Sequence, residues 1–187
     1  MADPNLYLDI LDLSELRQLC LDKGEERVYA KGQTYLSEHD VPRELGLVES
    51  GYFKYTVHTT EGIEKVVGFS FAGDFIAHIN YHLMALPVGV SIVTGSRAKA
   101  HVIAMDDFID FAMKKGLQFC IGIEAALFHT VYQRYLDMFR LSPRERYLKL
   151  LDQWPQMLQQ MPLCDIASYI GITPIHLSRL RRELHAR

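Results

Sequence analysis

The chain has 187 residues, of which 49% are hydrophobic, and a formal net charge of −3 at neutral pH. This length accommodates one large or two small domains, and this composition permits a real hydrophobic core. No apolar run approaches the roughly 18 residues that cross a bilayer, and the acidic N-terminus lacks the layout of a secretion signal, so no membrane partner is expected. Three scattered cysteines exclude a disulfide framework and a four-thiolate iron–sulfur cluster, which favours a cytoplasmic location.

The basic residues are concentrated towards the C-terminal end. Residues 140–187 hold eight Lys/Arg and four Asp/Glu, whereas the rest of the chain holds twelve and nineteen. Because salt screens charges beyond roughly 8–10 Å, the local charge decides whether a surface can hold a phosphate backbone. The asymmetry predicts two domains with different partners and places nucleic acid with the C-terminal one.

A helical lead-in and a β domain are the first elements in chain order. Leucines recur near helical spacing over residues 5–22. Short runs rich in Val, Tyr, Phe and Ile then alternate with turn signals, which is typical of a small sandwich or barrel. The predicted strands are Arg27–Tyr29, Thr34–Leu36, Leu45–Glu49, Gly51–His58, Lys65–Ser70, Ser91–Gly95 and Ala98–Met105.

Residues 73–89 interrupt the strand pattern and predict a turn followed by a short inserted helix. Such an excursion from a small barrel often holds a ligand. His78 and His82 lie four residues apart there, on one face of the predicted helix. Either is a candidate haem ligand, although ordinary core or surface histidines are the favoured interpretation.

The longest predicted helix covers Leu117–Arg140, about 36 Å at 1.5 Å per residue, after a shorter one at Asp106–Lys115. Its apolar side chains form two faces, and one small barrel cannot cover both. The sequence therefore predicts that this helix packs on the barrel and on its own copy in a homodimer; the alternative is a monomer whose third domain covers the second face. The two faces consist of Phe119, Ile123, Leu127, Val131, Tyr135 and Met138, and of Phe128, Tyr132 and Phe139.

A Ser-Pro step follows the long helix and marks a predicted hinge. Ser142 is placed as an N-cap, Pro143 as the first helical residue and Glu145 as the partner in a capping box. The following helix contains Pro155, which breaks or kinks it.

Two short helices with a tight turn between them are predicted over Leu163–Leu184. Gly171 is suited to the left-handed conformation that ends the first helix, Thr173 is a natural N-cap, and Pro174 fits the first position of the second helix. Small residues in the first helix and arginines on the second make up the helix-turn-helix pattern, whose second helix enters the DNA major groove.

The order of these elements resembles the Crp/Fnr family of transcription regulators, especially Bacteroides-type members, over essentially the whole chain. The resemblance rests on GYFKYTVHTTEGIEKVVGFSFAGDFI in the barrel, LSPRERYLKLL at the hinge and IASYIGITPIHLSRLRREL at the end. It implies an α+β protein with a jelly-roll (double-stranded β-helix) sensor domain at residues 1–116, a dimerisation helix at 117–140 and an all-α helix-turn-helix domain at 141–187. The implied partners are double-stranded DNA, a second copy, a small-molecule effector and RNA polymerase. The implied role is regulation rather than catalysis.

The resemblance also implies an effector pocket, whose residues depart from the cyclic-AMP pattern. Cyclic-AMP-binding members hold the ribose with a Gly-Glu pair and the phosphate with an Arg-Ser pair, where this chain has Gly73 and Asp74, and Val90 and Ser91. A buried phosphate requires a cation or several donors, so cyclic AMP is not the expected effector, and Arg97 is the nearest alternative cation. The effector, and whether any cofactor binds, stay unidentified. The candidate pocket residues are Gly73, Asp74, Phe75, Ser91, His129 and Thr130.

The second helix of the helix-turn-helix carries the candidate DNA contacts. Arg179 matches an arginine of the family and is suited to bidentate contact with guanine. Ile175 can touch a thymine methyl group, and Thr173 and Arg182 match phosphate contacts. The full candidate set is Thr173, Pro174, Ile175, His176, Ser178, Arg179 and Arg182.

Two other functions stay open at this point. A cupin-type, metal-dependent barrel enzyme requires three or four converging His, Glu or Asp ligands. No paired His-x-His motif occurs among the candidates His58, His78, His82 and His101. The second alternative is a sensor that acts through a protein partner and has a vestigial DNA-binding domain, against which the arginine-rich last helix argues.

Overall fold

The chain forms two compact units. The computed structural model describes residues 11–78, 84–155 and 157–185, without the side chains of Met157 and His185. One unit comprises Asp12–Gly122, and the other contains Ile123–Arg187.

The described residues of the first unit, which we call the β unit, form two complete helices, the start of a third and eight strands. All seven predicted strands are confirmed, with ends that shift by no more than two residues. In chain order the elements are α1 (Ser14–Lys23), β1 (Glu25–Tyr29), β2 (Thr34–Leu36), β3 (Glu44–Ser50), β4 (Tyr52–His58), β5 (Glu64–Phe71), β6 (Phe75–Ile76), β7 (Ser91–Thr94), β8 (Ala98–Ala104) and α2 (Met105–Lys115).

The strands form two four-stranded sheets that pack face to face. Their orders are β1-β8-β3-β6 and β2-β7-β4-β5, and the paired strands are antiparallel. Both sheets contribute to one buried cluster, in which the rings of Tyr29, Tyr35 and Phe53 meet edge to face with centroids 5.4–6.2 Å apart. This geometry is the one that aromatic quadrupoles favour. The predicted α+β class with a β-roll is confirmed.

Strand β6 is where the prediction of a turn leading directly into a helix is wrong. Gly73 adopts a left-handed φ of 94°, which reverses the chain after β5. Phe75 and Ile76 then pair with Leu47 and Gly46 of β3, and both side chains are buried. The central part of the predicted inserted helix, including His82, lies outside the described residues.

The second unit is helical. Helix α3 (Leu117–Arg140) starts in the first unit and continues into the second, and its predicted bounds are confirmed. It is followed by α4 (Pro143–Gln153), α5 (Met157–Gln160), α6 (Leu163–Tyr169) and α7 (Pro174–His185). Within the described ranges, no helix is long and apolar enough to cross a bilayer.

The predicted capping box at the start of α4 is confirmed. The Glu145 backbone N–H donates to Ser142 Oγ at 3.3 Å, and the Ser142 backbone N–H donates to Glu145 Oε2 at 2.7 Å. Hydrogen bonds of the Glu145 carboxylate with the side chain and the backbone N–H of Ser142 hold the pKa of Glu145 below its ordinary value. Residues 123–187 belong to one compact unit, which includes the predicted hinge. The predicted boundaries of the three functional domains, after residues 116 and 140, stay a prediction.

Candidate nucleic-acid interface

A tight turn joins α6 to α7. Gly171 adopts a left-handed φ of 74°, and its N–H donates to Ser168 O at 3.1 Å. The Ile172 N–H donates to Ala167 O at 2.9 Å, so carbonyls at the end of α6 are satisfied by the turn itself, as in glycine-terminated helices. The glycine was correctly identified from sequence because few other residues adopt this conformation without strain.

Helix α7 begins as predicted. The His176 N–H donates to Thr173 Oγ1 at 3.2 Å, and the Leu177 N–H donates to Thr173 O at 3.0 Å. Pro174 occupies the first helical position, where its missing N–H has no intrahelical partner to lose. Leu177 and Leu180 are buried, which leaves the opposite side of the helix exposed.

All seven candidate DNA contacts are exposed. Four of them, Ile175, Ser178, Arg179 and Arg182, follow the i, i+3, i+4, i+7 spacing of a single helix face. Ile175 leaves 68% of its surface exposed at the start of the helix. An exposed face with an apolar side chain, a hydroxyl and two guanidinium groups can contact thymine methyl groups, phosphates and guanine edges.

Arg181 differs from its neighbours on α7. Its guanidinium lies 5.5 Å from the centre of the Tyr147 ring, and the residue is half-buried, whereas Arg179 and Arg182 are exposed. Tyr147 is itself buried on α4. Arg181 therefore connects α7 to α4 through a cation–π contact.

Two further arginines contact the end of α6, and sequence analysis missed both. The Arg134 guanidinium on α3 stacks 3.8 Å from the centre of the Tyr169 ring and donates to Tyr169 O at 3.3 Å. Burial lowers the pKa of Arg134. Arg146 on α4 donates from Nε to Ile170 O at 2.9 Å. The available signal was weak, because Arg134 is one of two arginines on the long helix and Arg146 is one of three cations on α4.

A strip of aromatic side chains is exposed along α3, and we call it the aromatic strip: Phe128, Tyr132, Tyr135 and Phe139. Their rings contact one another in sequence, with centroids 5.4, 6.4 and 5.0 Å apart. Val131 and Met138 are exposed on the same helix. Monomeric proteins rarely expose a contiguous apolar surface of this kind, which usually marks an interaction site.

Two of the candidate effector residues in the β unit, Asp74 and Ser91, accept hydrogen bonds from backbone N–H groups of the same unit. Asp74 is 3% exposed, and its Oδ2 accepts the Phe71 N–H at 2.8 Å within the turn before β6. Ser91 Oγ accepts the Glu38 N–H at 2.9 Å. Phe75 is buried, and Arg97 is exposed beside a surface depression of about 270 Å³.

The described interior of the β unit is apolar, with aliphatic as well as aromatic side chains, and Asp74 is a buried carboxyl group within it. Its buried polar side chains are Thr56, Ser70, Asp74 and Thr94, and none of these is cationic. Burial raises the pKa of Tyr55 to about 12 and lowers the pKa of His78, so both are neutral at pH 7. Tyr55 Oη and Ser70 Oγ lie 3.3 Å apart.

The other two candidate effector residues belong to the helical unit. His129 is exposed on α3, and Thr130 Oγ1 donates to Ala126 O at 3.0 Å within the same helix. That these two residues share a pocket with Gly73 and Asp74 stays a prediction.

A possible metal-ligand cluster lies on strands β1, β3 and β8. Ligand atoms of Glu26, Glu49 and His101 all lie within 4.8 Å of one another. Lys99 Nζ lies 2.7 Å from Glu26 and 3.0 Å from Glu49, so one ammonium group already forms ion pairs with both carboxylates. His58 instead approaches Glu38 at 3.7 Å. Within the described residues, the histidines do not converge as a cupin-type site requires.

The geometry therefore combines a β-roll, a long helix and a helix-turn-helix, and solved regulator structures share this fold. FixK2 from Bradyrhizobium japonicum aligns with a TM-score of 0.71 and 16% identity over 87% of this chain and 85% of that one. The c-di-GMP-responsive global regulator CLP from Xanthomonas campestris aligns at 0.66 and 14%, over 94% and 92%. The catabolite activator protein from Thermus thermophilus aligns at 0.57 and 18%, over 98% and 87%.

The chain thus has the fold of Crp/Fnr-type regulators. No protein-family model and no curated protein sequence matches it. Identities of 14–18% establish a shared fold only. Any inference about a ligand or a DNA sequence has to rest on this chain's own residues.

Proposed function

We propose that the protein is a dimeric, non-enzymatic transcription regulator that reads a two-fold symmetric DNA site with residues 173–184. The observation that carries this proposal is the exposure of all seven candidate contacts around the start of α7, together with the glycine turn that positions the helix. A recognition helix with guanidinium groups on one outward face suits the major groove, in which arginine distinguishes guanine. Among the basic residues beyond position 140, the exposed arginines of α7 supply the attraction to phosphate.

The aromatic strip supports the homodimer. A two-fold interface places the same surface on both protomers, so a helix that exposes four aromatic rings can bury them against a second copy. Two antiparallel or parallel helices pack through such a seam with axes 8–10 Å apart, an approximate range for helix pairs in general. Dimerisation on α3 would give the protein two copies of α7, as a palindromic site requires.

The effector that we propose for the β unit is a small molecule other than cyclic AMP. The described residues place no buried cation in this interior, so an anionic phosphate held by them would lose its hydration uncompensated. The described interior offers aromatic surface and the hydroxyls of Tyr55 and Ser70 instead. RNA polymerase as a further partner and a cytoplasmic location complete the proposal.

Selection from a random duplex library with the purified protein tests DNA binding directly. The selected duplexes are then measured by fluorescence anisotropy at several salt concentrations. We expect Arg179→Ala to relax base preference at one position of each half-site, at a cost of about 1–3 kcal/mol. Arg182→Ala should weaken all duplexes alike and reduce the salt slope by about 1.

The matched control is Arg43→Ala, which removes an exposed arginine from the β unit. It should change neither the base preference nor the salt slope. A wild-type protein that enriches no sequence from the library, with and without a cell extract as effector source, contradicts the proposed function. An Arg179→Ala variant that enriches the same sequence as the wild type contradicts the role of Arg179 alone.

A further inference from the structure

The C-terminal end of α6 is held by side chains from two other helices. Tyr169 O accepts from Arg134 of α3, and Ile170 O accepts from Arg146 of α4. The Tyr169 ring contacts both the Arg134 guanidinium, at 3.8 Å, and the ring of buried Trp154, whose centroid is 5.7 Å away. Cations at the end of a helix are favoured by its dipole, and a planar guanidinium both stacks and donates in a fixed geometry. Arg134 and Arg146 together form what we call the arginine clamp.

The same clamp crosses the junction between α3 and α4. Arg146 Nη1 donates to Leu141 O at 2.6 Å and to Met138 O at 3.2 Å, so one side chain contacts the end of α3, the junction and the end of α6. Lys149 of α4 forms an ion pair with Asp137 of α3 on the neighbouring turn. The predicted hinge is therefore bridged by side-chain contacts on both of its sides.

Helix α7, the proposed recognition helix, packs against the helices that the arginine clamp connects. Arg181 stacks on Tyr147 of α4 at 5.5 Å, while Leu177 and Leu180 are buried. These contacts fix the position of α7 relative to α4 and α6. The arginine clamp in turn connects α4 and α6 to the end of α3. Several hydrogen bonds of guanidinium groups to carbonyls specify one geometry, which a purely apolar contact would specify less sharply.

We propose that the arginine clamp sets the distance between the two recognition helices of the dimer and thereby the half-site spacing that the protein binds. The inference rests on the proposed function, because it requires two copies joined along α3. Half-sites of helix-turn-helix dimers lie about 34–36 Å apart, which corresponds to roughly 10–10.5 base pairs. Changing the spacing by one base pair moves the second half-site by about 3.4 Å and turns it around the DNA axis. A rigid block cannot follow that change, whereas a hinged domain can.

The test compares duplexes that differ only in spacing. The half-site selected from the random library by the wild type is placed as an inverted repeat, with the separation varied in single base pairs. We expect the wild type to bind one spacing best and to lose at least about tenfold in affinity one base pair away. For the double variant Arg134→Met and Arg146→Met, the affinities for the different spacings should differ by no more than about threefold. Its affinity for a single half-site should stay within about twofold of the wild type. Methionine keeps an unbranched apolar stem in place of the arginine stem and removes every donor to the α6 carbonyls.

Single variants keep the test decisive if the double variant does not fold. Arg134→Lys retains the charge and a donor but loses the stacked plane, so its profile should lie between those of the wild type and Arg134→Met. Arg140→Met and Arg144→Met are the matched controls, since neither arginine has a hydrogen bond or ion pair within the described part of the chain, and their profiles should keep the wild-type shape. Thermal melting of every variant accompanies the binding data.

The possible outcomes separate the two proposals. A clamp variant that melts cooperatively and keeps the sharp wild-type profile overturns the role of the clamp. A wild type that binds the half-site without any spacing preference also overturns it and leaves DNA binding intact. Failure of the wild type to bind any selected duplex contradicts the proposed function itself.

Discussion

Truncation of one ring of the aromatic strip, Phe128→Ala, should weaken the dimer strongly. Phe128 leaves 67% of its surface exposed, which is roughly 130 Å² for an aromatic side chain of about 200 Å². If the second copy covers half of this area, then about 25 cal/mol per Å² gives roughly 1.5 kcal/mol per ring. Two-fold symmetry applies the change twice, so the dimer should lose about 3 kcal/mol, or roughly 100-fold in dissociation constant.

Sedimentation equilibrium over a range of protein concentrations measures this dissociation constant. Phe139→Ala should behave similarly, because that ring is 74% exposed at the other end of the strip. The matched control is Met113→Ala on α2, which removes an equally exposed apolar side chain, 71% exposed, outside the strip. A dissociation constant unchanged by Phe128→Ala, or shifted as much by Met113→Ala, would refute the assignment of the strip as the dimer interface.

Two further predictions concern the helix-turn-helix block, and urea unfolding measures both. Gly171→Ala forces an alanine to a φ of 74° with its Cβ 2.7 Å from Met138 Cε, and should lower the free energy of unfolding by about 1–2 kcal/mol. Gly171→Asn should lower it less, because asparagine tolerates this backbone conformation better. Equal losses in the two variants would point to packing rather than backbone strain. Ser142→Ala removes the capping box and should cost about 1 kcal/mol. Because hydrogen bonds from Ser142 lower the pKa of Glu145, the ionised Glu145 carboxylate stabilises the fold fully above pH 4.5. This stabilisation is lost as the pH falls through the lowered pKa. Glu145→Gln should therefore flatten the loss of stability below pH 4.5, and a curve parallel to that of the wild type would contradict this account.

Elements with a repeating pattern were predictable from the sequence. Helix α3 presents its apolar residues at helical steps over 24 residues, and its bounds were correct at both ends. The strands of four or more residues carried enough β-branched and aromatic residues between turn signals to be placed within two residues. Strand β6 has only two residues, which is too short for any alternation, and its existence depends on pairing with β3.

The chemistry of single polar residues was harder to predict, because it depends on which residues distant in sequence meet. Arg134 and Tyr169 are 35 positions apart, and no local pattern distinguishes a clamping arginine from one in solvent. Arg181 lies on the same helix face as the buried Leu177 and Leu180, and the spacing alone does not show that its partner is the Tyr147 ring. Asp74 was identified by its position in a family motif, yet its observed hydrogen bond supports a turn.

Helix α3 carries the two features on which the proposed reading of DNA depends. The aromatic strip would fix one copy of the helix against another, and Arg134 fixes the helix-turn-helix to the same helix. Phe128, Tyr132 and Tyr135 are exposed, while Arg134 is largely buried against Tyr169, so the two functions occupy different sides of the helix. A rotation or shift of one α3 copy against the other would then move both recognition helices directly, without any bending at Leu141. An effector that acts through this protein would therefore be expected to change the α3–α3 contact, and its signature would be a change in half-site spacing rather than a uniform change in affinity.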